Sequence, residues 1–110
     1  QMFKVEVKVS PTSRIDAEVF LKMVRRLKAS LEAHCIKMKK DPKVEIGRSF
    51  PSPGDHMPYE VSIYITTIDR NWASLPTESG QLIKALSEEF PSLAGKLDMW
   101  VVCDSYNYTA

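Results

Sequence analysis

The sequence predicts an α+β fold of the ferredoxin-like kind. This is a β-α-β-β-α-β two-layer sandwich with a four-stranded antiparallel sheet, order 4-1-3-2, and two helices on one face. Three observations carry the prediction. The chain opens on an unbroken apolar/polar alternation, a long stretch with apolar residues three or four apart follows, and a second pair of strands leads into a second helix and a last strand.

In MFKVEVKVS, Phe3, Val5, Val7 and Val9 alternate with Lys4, Glu6 and Lys8, the pattern of a strand with one buried face. SPTS then reads as a turn, and Ser13 with Asp16 three residues on forms a capping pattern that starts a helix. Ile15, Val19, Phe20, Met23, Val24, Leu27, Leu31, Cys35 and Met38 give that helix its apolar stripe. Lys37, Lys39 and Lys40 suit the negative end of its dipole, and Pro42 stops it.

Val44 and Ile46 alternate with Lys43 and Glu45 in a short second strand. In PYEVSIYITT the third strand turns Tyr59, Val61, Ile63 and Ile65 one way and Glu60, Ser62, Tyr64 and Thr66 the other. Pairing the two as a hairpin gives the predicted sheet order. DRNWASLPTESG reads as a loop, and from about Pro76 a second helix turns Leu82, Ile83, Leu86 and Phe90 inward until Pro91 breaks it. In the closing DMWVVCD strand, alternation with Met99, Val101 and Cys103 inward leaves Trp100 and Val102 outside, beside Tyr64. No internal repeat or dividing linker is visible.

The chain has 110 residues, 44% hydrophobic and 26% charged, the composition and length of one globular domain. Gln1 ahead of Met2 reads as a residue left by tag removal, so the domain is taken as residues 2–110. No apolar run approaches the roughly 20 residues of a membrane span, and a cytoplasmic protein is expected. Cys35 and Cys103 lie outside any CxxC spacing and amid apolar neighbours, as small core residues do.

The net charge of +1 hides a dipole. Residues 14–40 carry eight basic and three acidic side chains, a local +5, whereas residues 60–110 carry three and seven, a local −4. Lys22, Arg25, Arg26 and Lys28 lie on the polar side of the first helix, and Lys37, Lys39 and Lys40 prolong the positive charge past its end, as phosphate contacts would need. The open sheet face lacks the stacking aromatics of an RNA platform.

GRSFPSPGDHMPYE, residues 47–60, is the other candidate. Ser52-Pro53-Gly54-Asp55 fits a type II turn, and Arg48, Asp55 and His56 stand close enough in sequence to converge on an anion or a proton donor. His34, Cys35, His56, Cys103 and Asp104 are zinc-ligand types at no metal spacing, so no metal is expected. No phosphate loop, nucleophile elbow or paired-carboxylate motif appears, and no cofactor is expected.

The sequence therefore predicts a non-catalytic interaction or regulatory module rather than an enzyme. Its partner is a protein or a second copy of itself, bound through Tyr64, Trp100 and Val102 on the sheet face, Trp72, and the loop residues Arg48, Asp55 and His56. Two alternatives stay open. One is nucleic-acid binding through the basic helix, and the other a small enzyme with His56 as acid or base and Arg48 holding an anion.

Overall fold

The computed structural model describes residues 1–52, 54, 57–74 and 76–104, with backbone alone at residues 74 and 76–78. The elements run β1 (Phe3–Val9), α1 (Ala17–Lys37), β2 (Val44–Ser49), β3 (Val61–Thr67), α2 (Arg70–Ser74), α3 (Pro76–Glu89), a 3-10 turn (Pro91–Leu93) and β4 (Leu97–Cys103).

The four strands form one sheet in the order β2-β1-β3-β4, not 4-1-3-2. β1 and β2 are parallel, β3 and β4 are parallel, and only the central β1/β3 pair is antiparallel. The molecule is thus two β-α-β units set against each other. The central register runs from Phe3↔Thr67 to Val9↔Val61, with Glu6↔Tyr64 at its middle. This corrects the ferredoxin-like, antiparallel expectation.

The physical reason lies in the connector. The connection from Ser49 to Val61 is far longer than a tight hairpin needs, and the two strands it joins stand on either side of β1. They are about 10 Å apart, two strand spacings. The centre of the sheet is unaffected by the change. β1 and β3 lie side by side in both arrangements, and only the two edge strands exchange places.

One face of the sheet is buried under the helices. Phe3, Val5, Val7 and Val9 of β1 and Val61, Ile63, Ile65 and Thr67 of β3 pack against Phe20, Met23, Leu27, Leu31 and Cys35 of α1 and Leu86 of α3. Full burial of such side chains is worth about 1.5–3 kcal/mol each. On the edges the pattern weakens: Val44 alone is buried in β2, and Met99, Val101 and Cys103 of β4 are half-buried.

Local chemistry sets the element ends. α1 begins at Asp16 rather than Ser13. The Asp16 carboxylate accepts the Glu18 N–H at 3.2 Å, while Ser13 Oγ donates to Glu60 at 3.1 Å and so ties the chain ahead of α1 to the start of β3. Its far end closes as a Schellman motif, with Lys39 N–H on the Ile36 carbonyl and Lys40 N–H on that of Cys35. Lys39 occupies the left-handed position, φ 57°, where glycine is usual. Tyr59, expected inward, is exposed because β3 starts only at Val61. Within the stretch expected to be a loop, residues 70–74 form α2.

Candidate functional site

A site builds up at the end of the sheet where β1 begins. Thr67 closes β3, and its Oγ1 accepts the Asp69 N–H at 3.0 Å. Asp69 Oδ1 in turn accepts the N–H groups of Asn71 and Trp72 at 3.0 and 3.1 Å, satisfying donors that a helix start leaves without partners. That cap starts α2 and brings Trp72 back over the sheet, where its ring meets Phe3 edge-on at 5.1 Å.

His34 reaches the same place from α1. It stands one helical turn after Leu31, on the flank of the buried stripe, so its ring is not fully covered. Its Nε2 lies 3.0 Å from Asp69 Oδ2, and its ring packs 5.8 Å from Phe3 and 6.3 Å from Trp72. The Asp69 side chain is 8% exposed and that of His34 23%, so the carboxylate sits behind the imidazole as seen from solvent. Burial pushes the Asp69 carboxyl up. The hydrogen bonds from His34 and from the Trp72 and Asn71 amides, with the pull of the His34 charge, outweigh it and hold the group below the ordinary carboxylate value.

A cavity of about 290 Å3 opens in front of this pair, lined by Ser30, Leu31, His34, Trp72, Gln81 and Leu82. Its walls combine apolar surface with a ring that can carry a proton and two polar side chains. Ser30 lies one turn before His34 on the same helix, but its Oγ is held by Arg26 at 2.7 Å and not by the imidazole. The wall therefore presents a proton-transfer group rather than a primed nucleophile.

The sequence candidates fall elsewhere. Arg48 lies at the opposite end of the sheet, its guanidinium carbon 4.9 Å from the Phe20 ring and 5.7 Å from the Phe50 ring. Asp55 and His56 lie outside the described residues. Gly54 takes φ 89°. Trp72, named as a partner contact, is buried at 6% and serves the cavity wall and the core.

Tyr64 and Trp100 do come together, paired across β3 and β4 on the open sheet face, with Val102 one step along the same side. All three are exposed, Trp100 at 55%. Lys8 Nζ stands 5.3 Å over the Tyr64 ring, and Trp100 Nε1 donates to Asp98 at 2.7 Å.

On α1, Lys22 pairs with Glu18, Arg26 with Glu89 and Lys28 with Glu32, so the basic face is largely internally compensated; Arg25, Lys37, Lys39 and Lys40 remain exposed around it. Cys35 and Cys103 are free thiols, and burial pushes the Cys35 thiol up. Among the described residues no group of three or more His, Cys, Asp or Glu is placed to hold a metal, and no helix is long and apolar enough to cross a membrane.

The His34–Asp69 pair was not read from the sequence, because its members are 35 residues apart and His34 invited notice only as a zinc-ligand type. One signal was available. An aspartate two residues after the end of a strand, followed by a short apolar-bearing segment, is the pattern of a helix cap rather than of a continuing loop.

No protein-family model matches the chain, and no curated protein matches it in sequence. Solved structures do resemble it. The crystal structure of MIF2 from Leishmania major is 13% identical with a TM-score of 0.55, over 96% of this chain and 90% of that one. A protein from the fungus Aspergillus fumigatus, described as a probable enzyme, is 11% identical with a TM-score of 0.52, over 94% and 74%. A macrophage migration inhibitory factor homologue from Prochlorococcus marinus is 10% identical, TM-score 0.48, over 93% and 87%.

The fold is thus shared with MIF2, and the strand order above agrees in replacing the ferredoxin-like reading. The expectation of a non-catalytic module is also withdrawn. Its neighbours in fold include MIF2 and a protein described as a probable enzyme, and a histidine–carboxylate pair faces a cavity.

Proposed function

We propose that the protein is a small acid–base enzyme that moves a proton on a small organic molecule held between α1, α2 and α3. His34 is the proton-transfer group and Asp69 its positioning residue. The observation that carries this is the 3.0 Å contact between His34 Nε2 and Asp69 Oδ2, with His34 on the cavity wall and the carboxylate behind it.

The roles follow from the chemistry. Asp69, held ionised, accepts the Nε2 proton and so fixes the tautomer in which Nδ1 carries the lone pair. That nitrogen can take a proton from a carbon acid, the carboxylate stabilises the imidazolium that results, and the same proton can be returned at another atom of the substrate. Such a transfer is an isomerisation, with no net oxidation and no leaving group. Leu31, Trp72 and Leu82 would hold the apolar body of the substrate, and Ser30 and Gln81 its polar end.

Deuterium incorporation from D2O into a panel of small carbonyl compounds, followed by NMR, tests this reading. The protein should accelerate exchange in at least one compound, and His34→Ala should lower that rate by about 10²–10⁴-fold, the usual contribution of a general base. No acceleration anywhere in the panel, or an unchanged rate in His34→Ala, would refute it.

The open sheet face supports a second copy of the chain as a partner. Tyr64, Trp100 and Val102 form an apolar patch beside side chains of both signs, Lys4, Glu6 and Lys8 of β1 and Asp98 of β4, and a mixed surface of this kind can pair with itself about a twofold axis.

A further inference from the structure

We infer that the end of the sheet opposite the His34 cavity is a binding site for a small organic carboxylate with an apolar body. The juxtaposition that carries it is a cavity of about 180 Å3 whose wall holds the Arg48 guanidinium among apolar side chains, Phe20, Phe50, Val9 and Ile15. This site is independent of the proposed activity, since β1 alone separates the two ends by about 20 Å.

Arg48 is unusual in its surroundings. It is exposed, projects from β2 on the side of the sheet that carries the helices, lies within cation–π range of two phenyl rings, and its side chain makes no hydrogen bond or ion pair among the described residues. Ring contact steadies the guanidinium without using its N–H groups. A planar fork held in this way presents donors in the geometry that a carboxylate accepts in pairs.

Among the described residues, two neighbouring carboxylates are already engaged. Glu60 accepts from Ser13, and Asp16 accepts the Glu18 amide. Ala17, the first residue of α1, also lines the cavity, so the positive end of a 21-residue helix adds to the same sign of field.

Size and wall chemistry define the ligand. A cavity of about 150 Å3 lined by apolar side chains can hold a benzene ring, so one of this volume suits a ring or short branched chain carrying a single carboxylate. Its mouth is formed in part by Phe50, which is 67% exposed and therefore has surface left to cover.

Benzoate is the probe. In 15N–1H correlation spectra of the labelled full chain at low salt, benzoate should produce saturable shifts at the amides of Ser10, Phe20, Arg48 and Phe50, with a millimolar dissociation constant. Arg48→Met should weaken binding by about tenfold or more, Arg48→Lys by several-fold because the fork is lost, and raising NaCl from about 20 to 200 mM should weaken it further. Benzyl alcohol, the uncharged analogue, should bind about tenfold more weakly than benzoate. Phe50→Ala, a change at an exposed ring, should also weaken binding while leaving the spectrum otherwise in place.

The inference fails if benzoate produces no saturable shift, if its shifts map to another surface, or if Arg48→Met and Phe50→Ala both bind as well as the parent. It also fails as an assignment of ligand class if inorganic phosphate binds as tightly as benzoate, since the apolar walls would then contribute nothing.

Discussion

Replacing Asp69 by alanine should cost about 2–3 kcal/mol of stability, and the structure supplies the reckoning. Two backbone N–H groups, those of Asn71 and Trp72, lose their acceptor, a cap loss worth about 1 kcal/mol. The His34 bond at 3.0 Å contributes about 1 kcal/mol more, and the half-buried donors left unpaired add to the loss. Asn in the same place keeps an oxygen for the cap and should cost only about 1 kcal/mol. Urea denaturation would show the alanine change as a midpoint lower by about 1–2 M. A double-mutant cycle with His34→Ala isolates the pair, whose coupling should reach about 1 kcal/mol.

The pH dependence gives a second reading of the same bond. Asp69 is held below the ordinary carboxylate value in the folded chain, so the unfolded chain binds its proton first as the pH falls. The stability it contributes is therefore complete above about pH 4, its unfolded value, and is lost as the pH drops through the lower folded one. Asp69→Asn has no such group, and the gap between it and the parent should close over that acid range. A loss under about 0.5 kcal/mol in Asp69→Ala, or a coupling near zero, would mean that the pair holds nothing in place and would remove the positioning role from Asp69.

Two further outcomes are expected. Lys39→Gly should stabilise the protein by about 1 kcal/mol, raising Tm by about 4 °C in a thermal melt, because glycine takes the left-handed position at φ 57° without steric cost; an unchanged or lower Tm would refute the strain argument. Trp100→Glu, at an exposed position on the open sheet face, should shift the protein toward monomer in sedimentation velocity with little change in Tm, and an unaltered distribution would show that this face is not where copies meet.

The sequence was most informative where burial alone decides the matter. Alternation in β1 marks Phe3, Val5, Val7 and Val9 for the core, and the same signal in β3 marks Val61, Ile63 and Ile65; strands buried so thoroughly belong at the centre of a small sheet. The edge strands carry no comparable signal. β2 buries Val44 and half-buries Ile46, β4 buries Leu97 and half-buries Met99 and Val101, and either could stand on either side. The exchange of β2 and β4 turned on the connection between Ser49 and Val61, which adjacency rules read as a hairpin although the strands it joins stand on either side of β1. The His34–Asp69 pair escaped for another reason: it depends on a five-residue helix whose cap brings Trp72 back onto Phe3, and so short a segment has no periodicity to find.

Because the strand directions are the same in both arrangements, the topological correction leaves the two ends of the sheet holding the same loops. What it changes is adjacency. With β2 beside β1, Arg48 stands opposite Val7 in register, on the helix-bearing side and within reach of Phe20 in the first turn of α1. In the order 4-1-3-2 the same side chain would stand beside β3, one strand farther from β1, and the ring contact would not follow from the register. With β4 beside β3, Trp100 stands opposite Tyr64. In the predicted order β4 would lie against β1, and the two aromatics would be separated by a strand. The choice of edge strands thus assembles both the Arg48 cavity and the apolar patch, while the His34–Asp69 pair depends only on the unaltered centre of the fold and the helices that cover it.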